Sequence, residues 1–432
     1  MTGPVETTQG MKTTRSWADN RLVVAAIFLA SLASSAAQFT KGRFGAGFES
    51  VTLARNLAEH GRFADPFLIP TGPSAHLAPL FPAFLALLVW LVGYSRTFVV
   101  LASVCVMLVQ ALHTALLPAA SHLLFADRRP GVWAALLALP PPVYSYIPVW
   151  EGMYCATGLV LFCLYAERQV RRGGATGLLL TGVAMGLLAL LNPVAVLAAA
   201  PWLLFLLWTA VPHGRVRVCL LLAAGTAAAL LPWTVRNYRE FHTWFFVRDN
   251  LGIELFVSNN DAAQPTIYAN KVSAILALHP TYSVAEAAAV RNLGEARYNQ
   301  LRLHAALSWI RAHRDRFIAL TLVRIRLFWF PDPGVDPWHA AAISAITGAS
   351  LLGLALLALR RRPVAVFVAV VFAIFPLVYY IVQMDARYRA PILWLSLLLS
   401  GYLLVSCWDA AAAWRRSLRP KAAAGSGPRV PA

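Results

Sequence analysis

Leu22-Val-Val-Ala-Ala-Ile-Phe-Leu-Ala-Ser-Leu-Ala-Ser-Ser-Ala-Ala37 is an uncharged apolar run headed by Arg21. About twenty such residues cross the hydrocarbon core of a bilayer as a helix. No small-residue cleavage pattern followed by a soluble domain comes after it, so it reads as an anchor and not a removed signal. Similar runs recur along most of the chain. Of 432 residues, 59% are hydrophobic and 13% charged, against about 25% charged in an ordinary soluble domain. These proportions exclude that class and point to an all-α, polytopic membrane protein.

The net charge of +18 would suggest nucleic acid in a soluble protein. Here the basic residues are scattered over loops between apolar segments, as topogenic charges are, and no nucleic-acid partner is expected. Some of them suit anionic lipids or phosphates. The five cysteines lie in or beside apolar segments, without metal-ligand spacing, and read as small buried hydrophobes.

Basic clusters mark the cytoplasmic side. They fall at Lys12/Arg15/Arg21, Arg128/Arg129, Arg168/Arg171/Arg172, Arg215/Arg217, Arg360/Arg361/Arg362 and Arg415/Arg416/Arg419. With all of them inside, ten spans follow, at about 22–38, 98–125, 131–148, 152–168, 175–191, 194–211, 217–234, 339–359, 363–382 and 390–408. Two apolar stretches, Pro79–Val92 and Phe317–Phe330, are left as short juxtamembrane pieces; if both cross, the count is twelve. The transmembrane domain is residues 21–409, between a disordered cytoplasmic start (1–20) and a cytoplasmic tail (410–432). Two outer loops emerge, at about 39–78 and 235–316. The second carries a capping box, Ser283-Val-Ala-Glu286, and a stripe of Leu293, Ala296, Leu301, Ala305 and Trp309. Small residues in Ala184–Leu190 and Ala223–Ala229 suit close helix packing.

This topology gathers Glu49, His76, Glu151, the loop after Trp233 and Gln383–Arg389 on one face. A carboxylate at the mouth of a helical bundle is costly unless used or paired. Glu49 stands in Gly47-Phe-Glu-Ser-Val-Thr-Leu-Ala-Arg-Asn-Leu57, and His76 opens His76-Leu-Ala-Pro-Leu-Phe-Pro82.

Four stretches resemble the bacterial family 39 glycosyltransferases of the GT-C superfamily, which are similar to protein O-mannosyltransferases and lipid A aminoarabinose transferases. They are the Glu49 motif with Leu53–Gly61 and Ala78–Pro82; Pro232-Trp-Thr-Val-Arg-Asn-Tyr238 with Asn250–Gly252 and Asn259-Asn260; Trp309–Phe317 running into Arg326–Trp329; and Ala386-Arg-Tyr-Arg-Ala-Pro391. The resemblance implies a GT-C-type bundle of about ten to twelve membrane segments in the bacterial inner membrane. It implies inverting transfer of a sugar from a polyprenyl-phosphate donor to an envelope glycan, lipid or protein on the extracytoplasmic side, with the first-loop acid as base. Phe48 stands where the family often has a second acid, and His76-Leu-Ala-Pro79 where a basic residue and two prolines are common.

Such chemistry needs a base for the acceptor hydroxyl, donors for the departing phosphate, and exclusion of water. Glu49 is the expected base. Glu151, at the start of a span, either assists it and orients sugar hydroxyls or is a helix N-terminal acid favoured by the dipole. Arg236, Arg387, Arg389 and His76 are the candidate phosphate ligands, since guanidinium forks match phosphate oxygens; for the arginines the alternative is snorkelling to lipid head groups. Asn237, Tyr238 and Tyr388 are candidates for orienting substrate. No cofactor is expected, with a divalent metal as the alternative: Glu49 and Glu151 alone are a thin ligand set for one. The rivals are a transporter or flippase of polyprenyl-linked sugars, which would show inverted repeats and ionisable groups at the midplane, and a catalytically silent scaffold of a polysaccharide export complex.

Overall fold

The computed structural model describes residues 17–39, 49–140, 143–144, 147–332, 334 and 336–418. The expected disorder of the first dozen residues and of the tail beyond Pro420 lies outside the described residues, as does Gly47-Phe48. Among the described residues the chain is helical, with no strand longer than the isolated bridges Ala64–Pro73 and Thr266–Met384. Seven helices are long and apolar enough to cross a membrane: Arg21–Gln38, Arg96–Phe125, Pro193–Ala210, Arg215–Phe241, Pro337–Leu359, Val364–Ile381 and Ala386–Ser417. The chain is an all-α polytopic membrane protein.

The differences from the expected spans have local causes. Among the described residues the segment 131–148 yields the helix Arg129–Ala138, about 15 Å long, which ends before Pro140. The last span continues to Ser417, so helix replaces the start of the tail expected at 410. Leu80–Val92 and Arg314–Trp329 are helices of 13 and 16 residues, short as expected.

The last long helix is the axis of the bundle; its run Ala390–Gly401 is buried throughout. Ala175–Leu191 and Arg215–Phe241 lie together at glycine contacts. A Cβ on Gly182 would overlap the Leu222 carbonyl oxygen, and one on Gly225 the Leu179 carbonyl oxygen. The two backbones therefore approach as the small-residue runs foretold.

The ends of the bundle differ. At one end Arg129 pairs with Asp127 and Asp409 at 2.9 Å, and Arg360 donates to Tyr402 and Ser406. The other end holds the start of Gly152–Arg172, the close of Arg215–Phe241 and the start of the last helix. There the segments between spans build a second core from Phe67, Ile253, Val257, Ile275, Ala287, Val290 and Tyr298.

In that layer the Ser283 hydroxyl accepts from Glu286 N–H, but the Glu286 carboxylate turns to Tyr298 and Arg302, so only half of the capping box forms. Gly294, at φ +79°, divides Val284–Leu293 from Glu295–Ala312. The second helix buries Glu295, Tyr298, Asn299 and Ala306, whereas Leu293, Leu301 and Ala305 are exposed. The break at Gly294 separates Leu293 from the second helix, whose exposed Leu301 and Ala305 lie on the face away from this layer.

Candidate functional site

Glu49 is the first residue of the helix Glu49–His60, where the helix dipole favours a carboxylate. Its Oε1 accepts a 2.7 Å hydrogen bond from the Thr281 hydroxyl. His76 and His279 complete a trio whose ligand atoms lie within 4.8 Å of one another. Both rings pack edge-on against Phe67, at centroid distances of 5.0 and 6.3 Å.

The segment before His76 is clamped from three sides. Arg236 donates to the Ser74 and Phe63 carbonyls at 2.8 and 2.9 Å. Glu295 Oε1 accepts from Ala75 N–H at 2.6 Å, and Asp249 N–H donates to the Ala75 carbonyl at 2.9 Å. Further back, Asp65 takes a left-handed backbone (φ 58°) and its carboxylate accepts from Thr71 and Gly72 N–H. Aspartate tolerates that backbone region, and its carboxylate closes the loop by accepting from residues six and seven positions on. The loop is thus held rigidly although it contains no regular structure.

Glu151 precedes Gly152–Arg172. Its Oε1 accepts from Asn192 Nδ2 at 3.1 Å. Ser50, beside Glu49, donates to the Val149 carbonyl at 3.0 Å, which ties the two acids' segments together. Around Glu151 stand Arg248 and Arg387, and both act electrostatically on a further half-buried acid, Glu254. Glu254 in turn feels Glu49 and His279, so the two groups interact electrostatically. Arg387 pairs with Asp385 at 3.4 Å and lies over the Trp150 and Tyr388 rings. Tyr388 stacks on Tyr379 with centroids 4.6 Å apart.

Burial acts to raise the Glu49 carboxyl, but His279, His76, its own helix-start amide and Thr281 outweigh it and hold it below the ordinary carboxylate range. Burial pushes the His76 imidazole down to about 3, with Glu49 opposing and His279 and Arg248 adding to the shift. Burial raises Glu151 and Glu254, against partial relief from the arginines.

Not all the expected residues reach this centre. Arg236 is engaged by carbonyls and by the Phe63, Trp233 and Phe241 rings. Arg389 is buried and donates to Thr347, Ser396 and the Trp329 carbonyl. Asn237 is buried, with its amide on the Val247 carbonyl. Tyr238 stacks on Trp244 at 4.3 Å and is 41% exposed. These four serve the scaffold in this structure. His279, Thr281, Arg248 and Glu254 were missed by sequence reasoning. Only Glu254 left a signal, as a lone acid within the apolar helix Leu251–Ser258.

A polytopic helical membrane protein with a partly buried, charged site at one end of its bundle defines the class. No protein-family model and no curated protein matches the chain.

Proposed function

We propose that this protein is an inverting glycosyltransferase that takes a sugar from a polyprenyl-phosphate donor and passes it to an envelope glycan, lipid or protein hydroxyl on the extracytoplasmic face of the bacterial inner membrane. The observation that carries this reading is Glu49: a half-buried carboxylate at a helix start, oriented by Thr281 and held below the ordinary carboxylate range, within electrostatic reach of a site that also holds two arginines.

Glu49 takes the proton of the acceptor hydroxyl as its oxygen attacks the anomeric carbon. The bond from that carbon to the phosphate oxygen breaks on the opposite face, and the lipid phosphate leaves with the electron pair. Arg387 and Arg248 are the cations that can meet that charge. Arg248 makes no hydrogen bond or ion pair among the described residues, so its donors are available to phosphate oxygens. Glu151 and Glu254, raised by burial, are suited to hydrogen-bond sugar hydroxyls. Against transport stands the grouping of these ionisable residues at one end of the bundle, away from a midplane pathway.

The test is incubation of the purified protein with labelled polyprenyl-phosphate sugars and envelope extracts. Transfer with inversion supports the reading. Movement of the intact lipid-linked sugar across proteoliposomes without transfer would replace it by the transporter.

A further inference from the structure

We propose that Glu49, His76 and His279 bind one divalent transition-metal ion of the zinc type. Three strong ligand groups converge here, with no hydrogen bond joining any of them to another among the described residues. His76 is only 2% exposed, and its Nδ1 has no partner among the described residues. A buried polar atom without a partner is costly, and an ion offers what the packing withholds. Four-coordinate zinc, with bonds of about 2.0–2.1 Å, sets its ligand atoms about 3.4 Å apart. The trio spans up to 4.8 Å, so a small inward rotation of the side chains closes the site.

The donor set selects the metal. Two imidazoles and one carboxylate favour zinc, cobalt, nickel or copper over magnesium and calcium, which prefer oxygen ligands. Three protein ligands leave a fourth position open, the arrangement of reactive rather than structural zinc sites. The outer contacts fit as well. The Thr281 hydroxyl orients the Glu49 carboxylate, and the clamp on Ser74–Ala75 fixes the approach of His76. One contact must yield: Thr281 N–H now reaches His279 Nδ1 at 3.2 Å. If Nδ1 ligates the ion its lone pair is taken, and if Nε2 does, Nδ1 carries the proton.

The inference concerns the same site as the proposed transfer but does not depend on that chemistry. In the loaded state Glu49 is a ligand, and the acidity of a bound hydroxyl comes from the ion.

The protein, purified without a histidine tag, is dialysed against zinc and its metal content measured; a parallel sample is titrated with cobalt(II) and followed in the visible. One zinc per chain and the intense spectrum of four-coordinate cobalt are expected. His76→Ala and His279→Ala should each lose both signals, and Thr281→Val should weaken binding on the order of ten- to a hundred-fold. No zinc in the wild type, a weak six-coordinate cobalt spectrum, or full retention in both histidine variants would overturn the proposal. Because the wild-type spectrum is itself decisive, a variant that fails to fold leaves the test intact. Zinc held without sugar transfer leaves the site standing and removes the transferase; transfer by a chain that takes up no zinc does the reverse.

Discussion

At the scale of single residues, chemistry and support separate cleanly. Glu49→Gln keeps the shape and the Thr281 contact but can accept no proton, so transfer should fall by about a hundred- to ten-thousand-fold. Glu59→Gln is the control: Glu59 pairs with Arg55 on an exposed face, 2.9 Å away, and its loss should leave transfer unchanged. The arginines divide in the same way. Arg248→Gln should weaken donor use by roughly ten-fold or more, since a charge-assisted bond contributes about 1.5–3 kcal/mol, while thermal stability stays unchanged. Arg236→Gln should do the opposite first, lowering the melting temperature, because two loop carbonyls lose their donor. If donor affinity, measured by titration, falls in Arg236→Gln and not in Arg248→Gln, the assignment of roles is reversed.

At the scale of elements, the loop 61–79 and the helix Glu295–Ala312 are joined by a buried acid. Burial raises Glu295 to about 7 from an ordinary 4.5. The folded protein therefore holds a proton between those values that the unfolded chain has released. Stability should fall as pH rises through that window, and the loss is complete above about 7, on the order of 3 kcal/mol at most. Glu295→Gln keeps an acceptor for Ala75 N–H, so its melting temperature should vary less between pH 5 and pH 8. An identical pH dependence in the two proteins would exclude Glu295 as the cause. Gly225→Val tests the other junction: its side chain meets the Leu179 carbonyl, and the variant should lose about 1–3 kcal/mol, seen as a lower melting temperature.

The elements also mark what the sequence could reveal. Glu49 stood out as a lone acid in a motif between two apolar segments, and the family resemblance singled it out further. His279 did not stand out, because it meets Glu49 only through tertiary packing and sits in His279-Pro-Thr281, which has no periodicity. Arg236 and Arg389 were read as phosphate ligands from their charge and position at span ends. Nothing local shows that backbone carbonyls and hydroxyls already engage their donors.

At the scale of the whole molecule, hydropathy located the seven long apolar helices, and Pro140 marks where the expected span 131–148 breaks. The orientation is open to a direct check. In a cysteine-free variant of intact cells, a single cysteine at Tyr268, which is 80% exposed, should react with an impermeant maleimide, and one at Arg361 should not. Labelling only at 361 would invert the topology. The central claim is that Glu49 drives sugar transfer, and the most direct measurement is the single-turnover rate of purified wild type and Glu49→Gln on a polyprenyl-phosphate sugar that the wild type uses. The account predicts transfer by the wild type, a loss of at least about a hundred-fold in the variant, and donor binding retained in both. Equal rates in the two proteins would contradict it.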